Sequence, residues 1–321
     1  MTVRRQAAGN EQAVEQAAVG RTGSAQQASA VVLDKAAREN FPVAPFFMPA
    51  AMREGLMAVY GFARLVDDAG DGDLEDPAAT AAVLGAADAT AGALLEGLET
   101  DLDRVFETVL GTPGAEAPRH PLMADLVPVV DRHGLTPEPF RALIQANRVD
   151  QTTSRYPDID ALMGYCELSA NPVGLLVLQL AGLATPERVR QSDAVCSALQ
   201  IIEHLQDVAE DRGRDRIYLP AADMAAFEVA EADLDADHAG PALRALVAFE
   251  AQRARVLLDR GAPLVGTVGG RLRLLLAGFA AGGYAALDAI AAADNDVLAG
   301  APKPRKSRLL REAAATLVRG R

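Results

Sequence analysis

The chain has 321 residues, and its 31 Lys and Arg residues are outnumbered by 44 Asp and Glu residues, which gives a formal net charge of −13. This negative field argues against nucleic acid as the main partner, but it permits a phosphorylated small molecule bound through a divalent cation. Half of the residues are hydrophobic and aromatic residues make up only 4%, a composition that favours an all-α fold. The two cysteines suggest neither a disulfide framework nor a zinc site, so a cytoplasmic location is predicted.

The predicted organisation is a leader, one helical domain and a tail. Residues 1–30 are rich in Ala, Gln, Gly and Ser with little apolar pattern, which predicts a disordered leader; no apolar stretch follows the early arginines, so no secretory signal is expected. Helical periodicity continues over 31–300 without a linker or repeat. The uncharged run over 168–186 is about long enough to span a bilayer, at roughly 20 residues, but its Asn and Pro residues favour a buried core helix.

The first acidic row lies near the end of a predicted apolar helix. Asp67 and Asp71 are four residues apart, so a helix places both carboxylates on one face, with Arg64 and Tyr60 on the same side. The two carboxylates repel each other unless a cation lies between them, and magnesium commonly takes one or two carboxylates plus phosphate oxygens. A solvated helix face remains an alternative. A calcium loop is rejected, because the third and twelfth positions counted from Asp67 are alanines.

The second acidic row consists of Glu203, Asp207 and Asp211, at i, i+4 and i+8 of a second apolar helix. Carboxylates on a buried helix are costly unless they are paired or bind a metal. Two such rows, far apart in the sequence, predict a shared cavity, although each row alone is also compatible with a solvated helix face.

The tail, residues 301–321, is basic, with seven Lys or Arg residues against the single acid Glu312 and with four Leu or Val residues among them. Such a segment is suited to contact with an anionic membrane surface. A solvated terminal helix is an equal alternative.

Several segments resemble the squalene/phytoene synthase family, the head-to-head trans-prenyl synthases, in the family's order and spacing over about residues 31–305. The matching stretches are 40–49 (NFPVAPFFMP), 60–71 (YGFARLVDDAGD), 165–174 (YCELSANPVG) and 200–220, which ends in DRIYLP, with a looser match over 284–298. The resemblance implies a single-domain isoprenoid-synthase helical fold around a central apolar cavity. It also implies that the acidic rows hold Mg²⁺ on the diphosphate of a prenyl substrate.

Carried over residue by residue, the resemblance implies three groups of site residues. The metal ligands are Asp67, Asp71, Glu203, Asp207 and Asp211, where Glu203 replaces the asparagine usual in the family. The substrate-binding residues are Arg64, Arg216, Asn40, Val173 and Gln206. The catalytic residues are Tyr60, Tyr165 and Asn171, of which Tyr165 or Asn171 would orient a water molecule.

The segments SANPVG (169–174) and ENFPVA (39–44) resemble the hydroxysqualene synthase branch of bacterial hopanoid biosynthesis. The function this implies is magnesium-dependent ionisation of presqualene diphosphate, followed by water capture that gives hydroxysqualene and diphosphate. Two alternatives remain: a prenyl transferase that condenses two molecules such as farnesyl diphosphate to presqualene diphosphate, dehydrosqualene or phytoene, and a catalytically silent scaffold in an isoprenoid pathway. Contact through the tail would add a peripheral location at the inner face of the membrane.

Overall fold

The computed structural model describes residues 35–37, 43–304 and 306–319. Within these residues the regular structure consists of fourteen α-helices and two short 3-10 helices, with one isolated β-bridge between Arg155 and Ile217 and no β-strand. The all-α prediction is therefore confirmed. The predicted disordered leader lies outside the described residues.

The described residues form two compact units, one of residues 35–37, 43–44 and 50–148 and the other of residues 45–49, 149–304 and 306–319. The helices of the first unit are α1 (Ala50–Asp71), α2 (Pro77–Leu84), α3 (Ala91–Leu110), α4 (Pro121–His133) and α5 (Glu138–Asp150). The last two residues of α5 belong to the second unit. A 3-10 turn, Lys35–Ala37, precedes α1. The predicted boundaries of a leader, a domain and a tail stay predictions.

The second unit carries the remaining helices. They are α6 (Ile159–Ser169), α7 (Asn171–Leu180), α8 (Pro186–Gln206), α9 (Val208–Gly213), α10 (Ala221–Ala226), α11 (Pro241–Gly261), α12 (Leu264–Thr267), α13 (Gly270–Ala292) and α14 (Lys306–Arg319), with a 3-10 helix at Glu231–Asp235.

Helix α1 is amphipathic, and its buried face positions the first acidic row. The apolar residues at helical spacing are buried as the sequence predicts, and Phe62 makes an edge-to-face contact with Phe140 of α5 at 5.0 Å between ring centroids. Near the end of α1, a Cβ on Gly70 would lie 2.2 Å from the Asn147 side-chain oxygen. A side chain at this glycine of the DDAGD motif would therefore require the Asn147 side chain on α5 to move.

In the second unit, α8 packs closely against α11. A Cβ on Gly261 would lie 2.5 Å from a Val195 methyl carbon and 2.6 Å from the Gln191 carbonyl oxygen, so these two backbones approach more closely than a larger residue permits. Helix α13 packs on the same pair, and its Tyr284 hydroxyl donates to Asp259 at 2.6 Å.

Two helical stretches, Ile159–Leu180 and Gly270–Ala292, have the length and apolar composition that crossing a membrane requires. Of the most apolar window in the second stretch, 61% is buried inside the protein. Core helices of soluble proteins meet the same criterion, so the observation is weak evidence for a span.

His120 caps the N-terminus of α4. Its Nδ1 atom accepts a hydrogen bond from the Leu122 backbone N–H at 3.3 Å, and its own backbone N–H donates to the buried Asp101 carboxylate at 2.8 Å. Burial lowers the pKa of His120 to about 4, although the charge of Asp101 opposes the shift. The imidazole is therefore held neutral, as an acceptor at Nδ1 must be.

We expect the free energy of unfolding to fall as the pH drops from about 6.5 towards 4, by up to about 3 kcal/mol from this residue. The unfolded chain binds the His120 proton below its ordinary pKa of 6.5, whereas the folded chain binds it only near 4. Urea unfolding at several pH values, compared between wild type and His120→Asn, measures the effect. Asparagine keeps a capping acceptor but does not titrate, so parallel pH profiles of the two proteins would contradict the expectation.

Candidate active site

The first acidic row occupies the last turns of α1. Tyr60, Arg64, Asp67 and Asp71 follow one another at helical spacing on one face, as the sequence predicts. The Arg64 guanidinium lies between two carboxylates, 3.1 Å from Asp67 and 2.9 Å from Asp68. The Asp67 side chain is 48% exposed, and Tyr60 and Asp71 are half-buried, so this face is accessible.

Sequence reasoning missed the residue that fixes Arg64. The Asp68 carboxylate is only 2% exposed and also accepts two hydrogen bonds from the Lys35 ammonium, at 2.7 and 2.8 Å. Two cations thus neutralise one buried carboxylate, which satisfies the requirement for charge pairing in the interior. The available signal was the i, i+4 spacing from Arg64 to Asp68, whereas the contact with Lys35 has no local signature.

We expect Asp68→Asn to lower the free energy of unfolding by about 3 kcal/mol, since it breaks a buried charge cluster and removes the carboxylate that Lys35 and Arg64 share. It should also lower activity, because Arg64 loses one of the two carboxylates that orient it. Asp73→Asn is the matched control: Asp73 is exposed just beyond α1, so a change within about 0.5 kcal/mol is expected. The urea unfolding midpoints of the two variants measure the difference in stability between them. Equal midpoints would show that Asp68 does not stabilise the protein.

The second acidic row differs from the predicted single helix. Helix α8 ends at Gln206 and α9 begins at Val208, because Asp207 leaves the helical backbone region (φ −106°, ψ 14°). The prediction of an unbroken helix is therefore wrong at this residue. The backbone hydrogen bonds from Asp207 N–H to Glu203 and from Asp211 N–H to Asp207 persist at 3.0 and 2.8 Å, so the i, i+4, i+8 order is kept. Glu203 is exposed, whereas Asp207 and Asp211 are half-buried.

Burial and neighbouring negative charges both disfavour the ionised form of Asp207. Burial raises the pKa of its carboxyl group, and the like charges of Asp211 and Glu210 raise it further. His204, on the last turn of α8, lies 3.8 Å from Asp211 through Nδ1 and hydrogen-bonds Gln200 through Nε2 at 3.2 Å. The row thus has a surplus of negative charge that a bound cation would relieve.

The carboxylates of both rows fit magnesium in chemical type. They are hard oxygen donors, and magnesium usually takes only one or two protein carboxylates, with water and phosphate oxygens completing its octahedron. Among the described residues, no group of three or more His, Cys, Asp or Glu side chains forms a metal-binding cluster. The roles predicted for Asp67, Asp71, Glu203, Asp207 and Asp211 as ligands stay predictions.

Beside the second row lies an aromatic cluster, which we call the tyrosine cluster: Tyr156, Tyr165, Tyr218 and Asp150. The hydroxyls of Tyr165 and Tyr218 donate to the two oxygens of Asp150, at 2.8 and 3.4 Å. The sequence pointed to Tyr165 and to the segment that contains Tyr218. Tyr156 and Asp150 carried no signal, because their contacts join distant parts of the chain.

The remaining predicted site residues lie mostly in the second unit. The Asn171 side-chain oxygen accepts from Ser197 at 2.9 Å, and Ala170 separates α6 from α7 two residues before Pro172. Gln206 donates to the Pro302 carbonyl. Val173 is 39% exposed, and the Arg216 backbone N–H donates to the Asp211 carbonyl oxygen at 2.8 Å. Asn40 lies outside the described residues.

The comparisons with known proteins agree with this architecture. A sequence profile described as squalene/phytoene synthase matches residues 34–310. The chain is 34% identical over 223 residues to hydroxysqualene synthase from Zymomonas mobilis, covering 69% of this chain and 68% of that protein. It is 32% identical over 221 residues to phytoene synthase from Arthrospira platensis, covering 65% of each. The crystal structure of squalene synthase HpnC from Alicyclobacillus acidocaldarius superposes with a TM-score of 0.71 at 35% identity, covering 86% of this chain and 96% of that one.

The fold and these similarities define an all-α enzyme that acts on prenyl diphosphates. The chain belongs to the squalene/phytoene synthase family.

Proposed function

We propose that the chain ionises presqualene diphosphate in a magnesium-dependent reaction and captures water, which gives hydroxysqualene and diphosphate. The magnesium-dependent departure of diphosphate is supported by the second acidic row, where burial and like charge raise the pKa of Asp207 and so favour a bound cation. The branch is supported by the SANPVG segment and by similarity to a protein named hydroxysqualene synthase.

The side chains divide the chemistry between them. Asp67 and Asp71 of the first acidic row, and Glu203, Asp207 and Asp211 of the second, would hold Mg²⁺, which would act as a Lewis acid that neutralises the charge of the leaving diphosphate. Arg64, held in orientation by Asp67 and Asp68, would supply fixed positive charge to the same group. Arg216 would do so from the turn after α9.

Other residues would serve the prenyl chain and the nucleophile. Val173, an exposed apolar side chain at the start of α7, would contact the hydrocarbon. Tyr165 or Asn171 would orient the water that attacks the carbocation. The Asn171 oxygen is held by Ser197, which fixes the direction of the carboxamide.

The second candidate is condensation of two prenyl diphosphates, which the 32% identity to a phytoene synthase favours. The test is an assay of purified full-length protein with magnesium and either presqualene or farnesyl diphosphate, with products identified by mass spectrometry. Hydroxysqualene from presqualene diphosphate, with farnesyl diphosphate unused, supports the proposal, and consumption of farnesyl diphosphate replaces it with condensation. A silent protein, including a silent Glu203→Asn variant, would favour the scaffold alternative.

We also propose a cytoplasmic location with peripheral contact to an anionic membrane surface through the tail. On α14, Leu310 and Val318 lie on one exposed side, and the neighbouring Arg311 is also exposed. Exposed apolar and basic side chains on one helix are typical of interfacial binding. Sedimentation with anionic and neutral vesicles tests the contact.

A further inference from the structure

In the tyrosine cluster, two buried tyrosine hydroxyls share one carboxylate as their hydrogen-bond acceptor. Because an ionised carboxylate only accepts hydrogen bonds, the hydroxyl protons of Tyr165 and Tyr218 point at Asp150. Tyr165 and Tyr218 also lie within hydrogen-bonding reach of each other. A phenolic oxygen that donates its proton still has lone pairs with which it can accept a hydrogen bond. Burial raises the pKa of both tyrosines well above the ordinary value, so they remain protonated donors to Asp150.

The third tyrosine of the cluster has an unsatisfied hydroxyl. Tyr156 is 4% exposed, its ring lies 5.5 Å from that of Tyr165 and 5.6 Å from that of Tyr218, and its buried oxygen has no hydrogen-bond partner among the described residues. A buried hydroxyl without a partner is destabilising, and such groups are commonly satisfied by a buried water molecule. A water there would be in the group of three tyrosine rings.

The cluster lies next to the second acidic row within the same unit. The His204 ring stacks on Tyr218 at 3.7 Å between centroids and 9° between planes, and its Nδ1 lies 3.8 Å from Asp211. One side chain thus separates the cluster from a predicted metal ligand. A water held there would be close to where the diphosphate is expected to leave.

We propose that the tyrosine cluster is a water-binding site that supplies the nucleophile, with Asp150 as the positioning residue that also takes the released proton through Tyr165. This inference rests on the proposed function. The water oxygen forms the C–O bond with the carbocation, one water proton passes to the Tyr165 oxygen, and the Tyr165 proton passes to Asp150. The products are a neutral alcohol and a carboxylic acid, which returns its proton to solvent before the next turnover.

The test measures two quantities in water enriched in ¹⁸O: diphosphate released from presqualene diphosphate, and the fraction of lipid product that carries ¹⁸O. In Asp150→Asn and in Tyr156→Phe, we expect that fraction to fall by about tenfold or more while diphosphate release continues, because ionisation does not need the water. Asp150→Glu, which keeps a carboxylate, should recover part of the fraction.

The matched controls are Tyr284→Phe and Asp259→Asn, which alter a buried tyrosine–aspartate hydrogen bond on α13 and α11, outside the cluster. They should leave the oxygenated fraction unchanged. This inference alone is overturned if the ¹⁸O-labelled fraction of the lipid product in the cluster variants equals that of the wild type. It is also overturned if the labelled fraction falls equally in the cluster variants and in the controls. A wild type that gives no oxygenated product overturns the proposed function together with it.

Discussion

Replacing Asp207 by asparagine should lower prenyl diphosphate turnover by about a hundredfold or more. Asp207 occupies the junction of α8 and α9, where burial and two neighbouring acids raise the pKa of its carboxyl group. Asparagine keeps the size but removes the charge that would hold magnesium against the leaving diphosphate. Steady-state diphosphate release at saturating substrate measures the loss.

The matched control for this variant is Glu210→Gln on α9. Glu210 is exposed and pairs with Arg214 at 3.4 Å, so its replacement should change turnover by no more than about twofold. A magnesium titration separates the causes, since weaker metal binding should raise the concentration that Asp207→Asn requires. Near-normal turnover of Asp207→Asn at low magnesium would rule out a ligand role for Asp207.

A large effect on stability is expected from Gly261→Ala, at the end of α11. The new Cβ would meet a Val195 methyl carbon at 2.5 Å, the Gln191 carbonyl oxygen at 2.6 Å and the Val195 backbone nitrogen at 2.9 Å. Two of these three atoms belong to the backbone of α8 and cannot rotate away. We expect the free energy of unfolding to fall by about 3 kcal/mol, a substantial part of the total for a typical domain.

Gly278→Ala in α13 is the control, because a Cβ at that position meets no atom within 4 Å. Alanine is favoured over glycine inside a helix, so this variant should be more stable by about 0.5–1 kcal/mol. Urea midpoints should therefore shift in opposite directions. A shift in the same direction for both variants would mean that the α8–α11 contact is looser than described.

Helical periodicity predicted most of the fold, because each helix buries an apolar face that the sequence displays locally. Helix α1 is the clearest case, with its buried apolar residues at the expected spacing and with Asp67 and Asp71 outside the buried set. The prediction failed at Asp207, where a one-residue departure from helical geometry leaves the apolar pattern almost unchanged. Periodicity could not place that break, since the hydrogen bonds on both sides of it continue in the helical register.

The site was predictable only where its residues are neighbours along the chain. Spacing alone brought Arg64, Asp67 and Asp71 together on one face, and the structure keeps that arrangement. Lys35 is 33 residues from Asp68, and Tyr218 is 68 residues from Asp150. Such contacts depend on how helices pack, so composition and periodicity give no signal for them.

Magnesium-dependent ionisation of presqualene diphosphate is tested by measuring diphosphate release from this substrate by the full-length protein. The release is measured with magnesium and again after its removal by a chelator. The proposed function predicts one diphosphate and one hydroxysqualene per substrate consumed, loss of both products on chelation, and their recovery when magnesium is restored. Turnover that persists unchanged after chelation would contradict the role of the acidic rows. Absence of turnover at any magnesium concentration would contradict the proposed reaction itself.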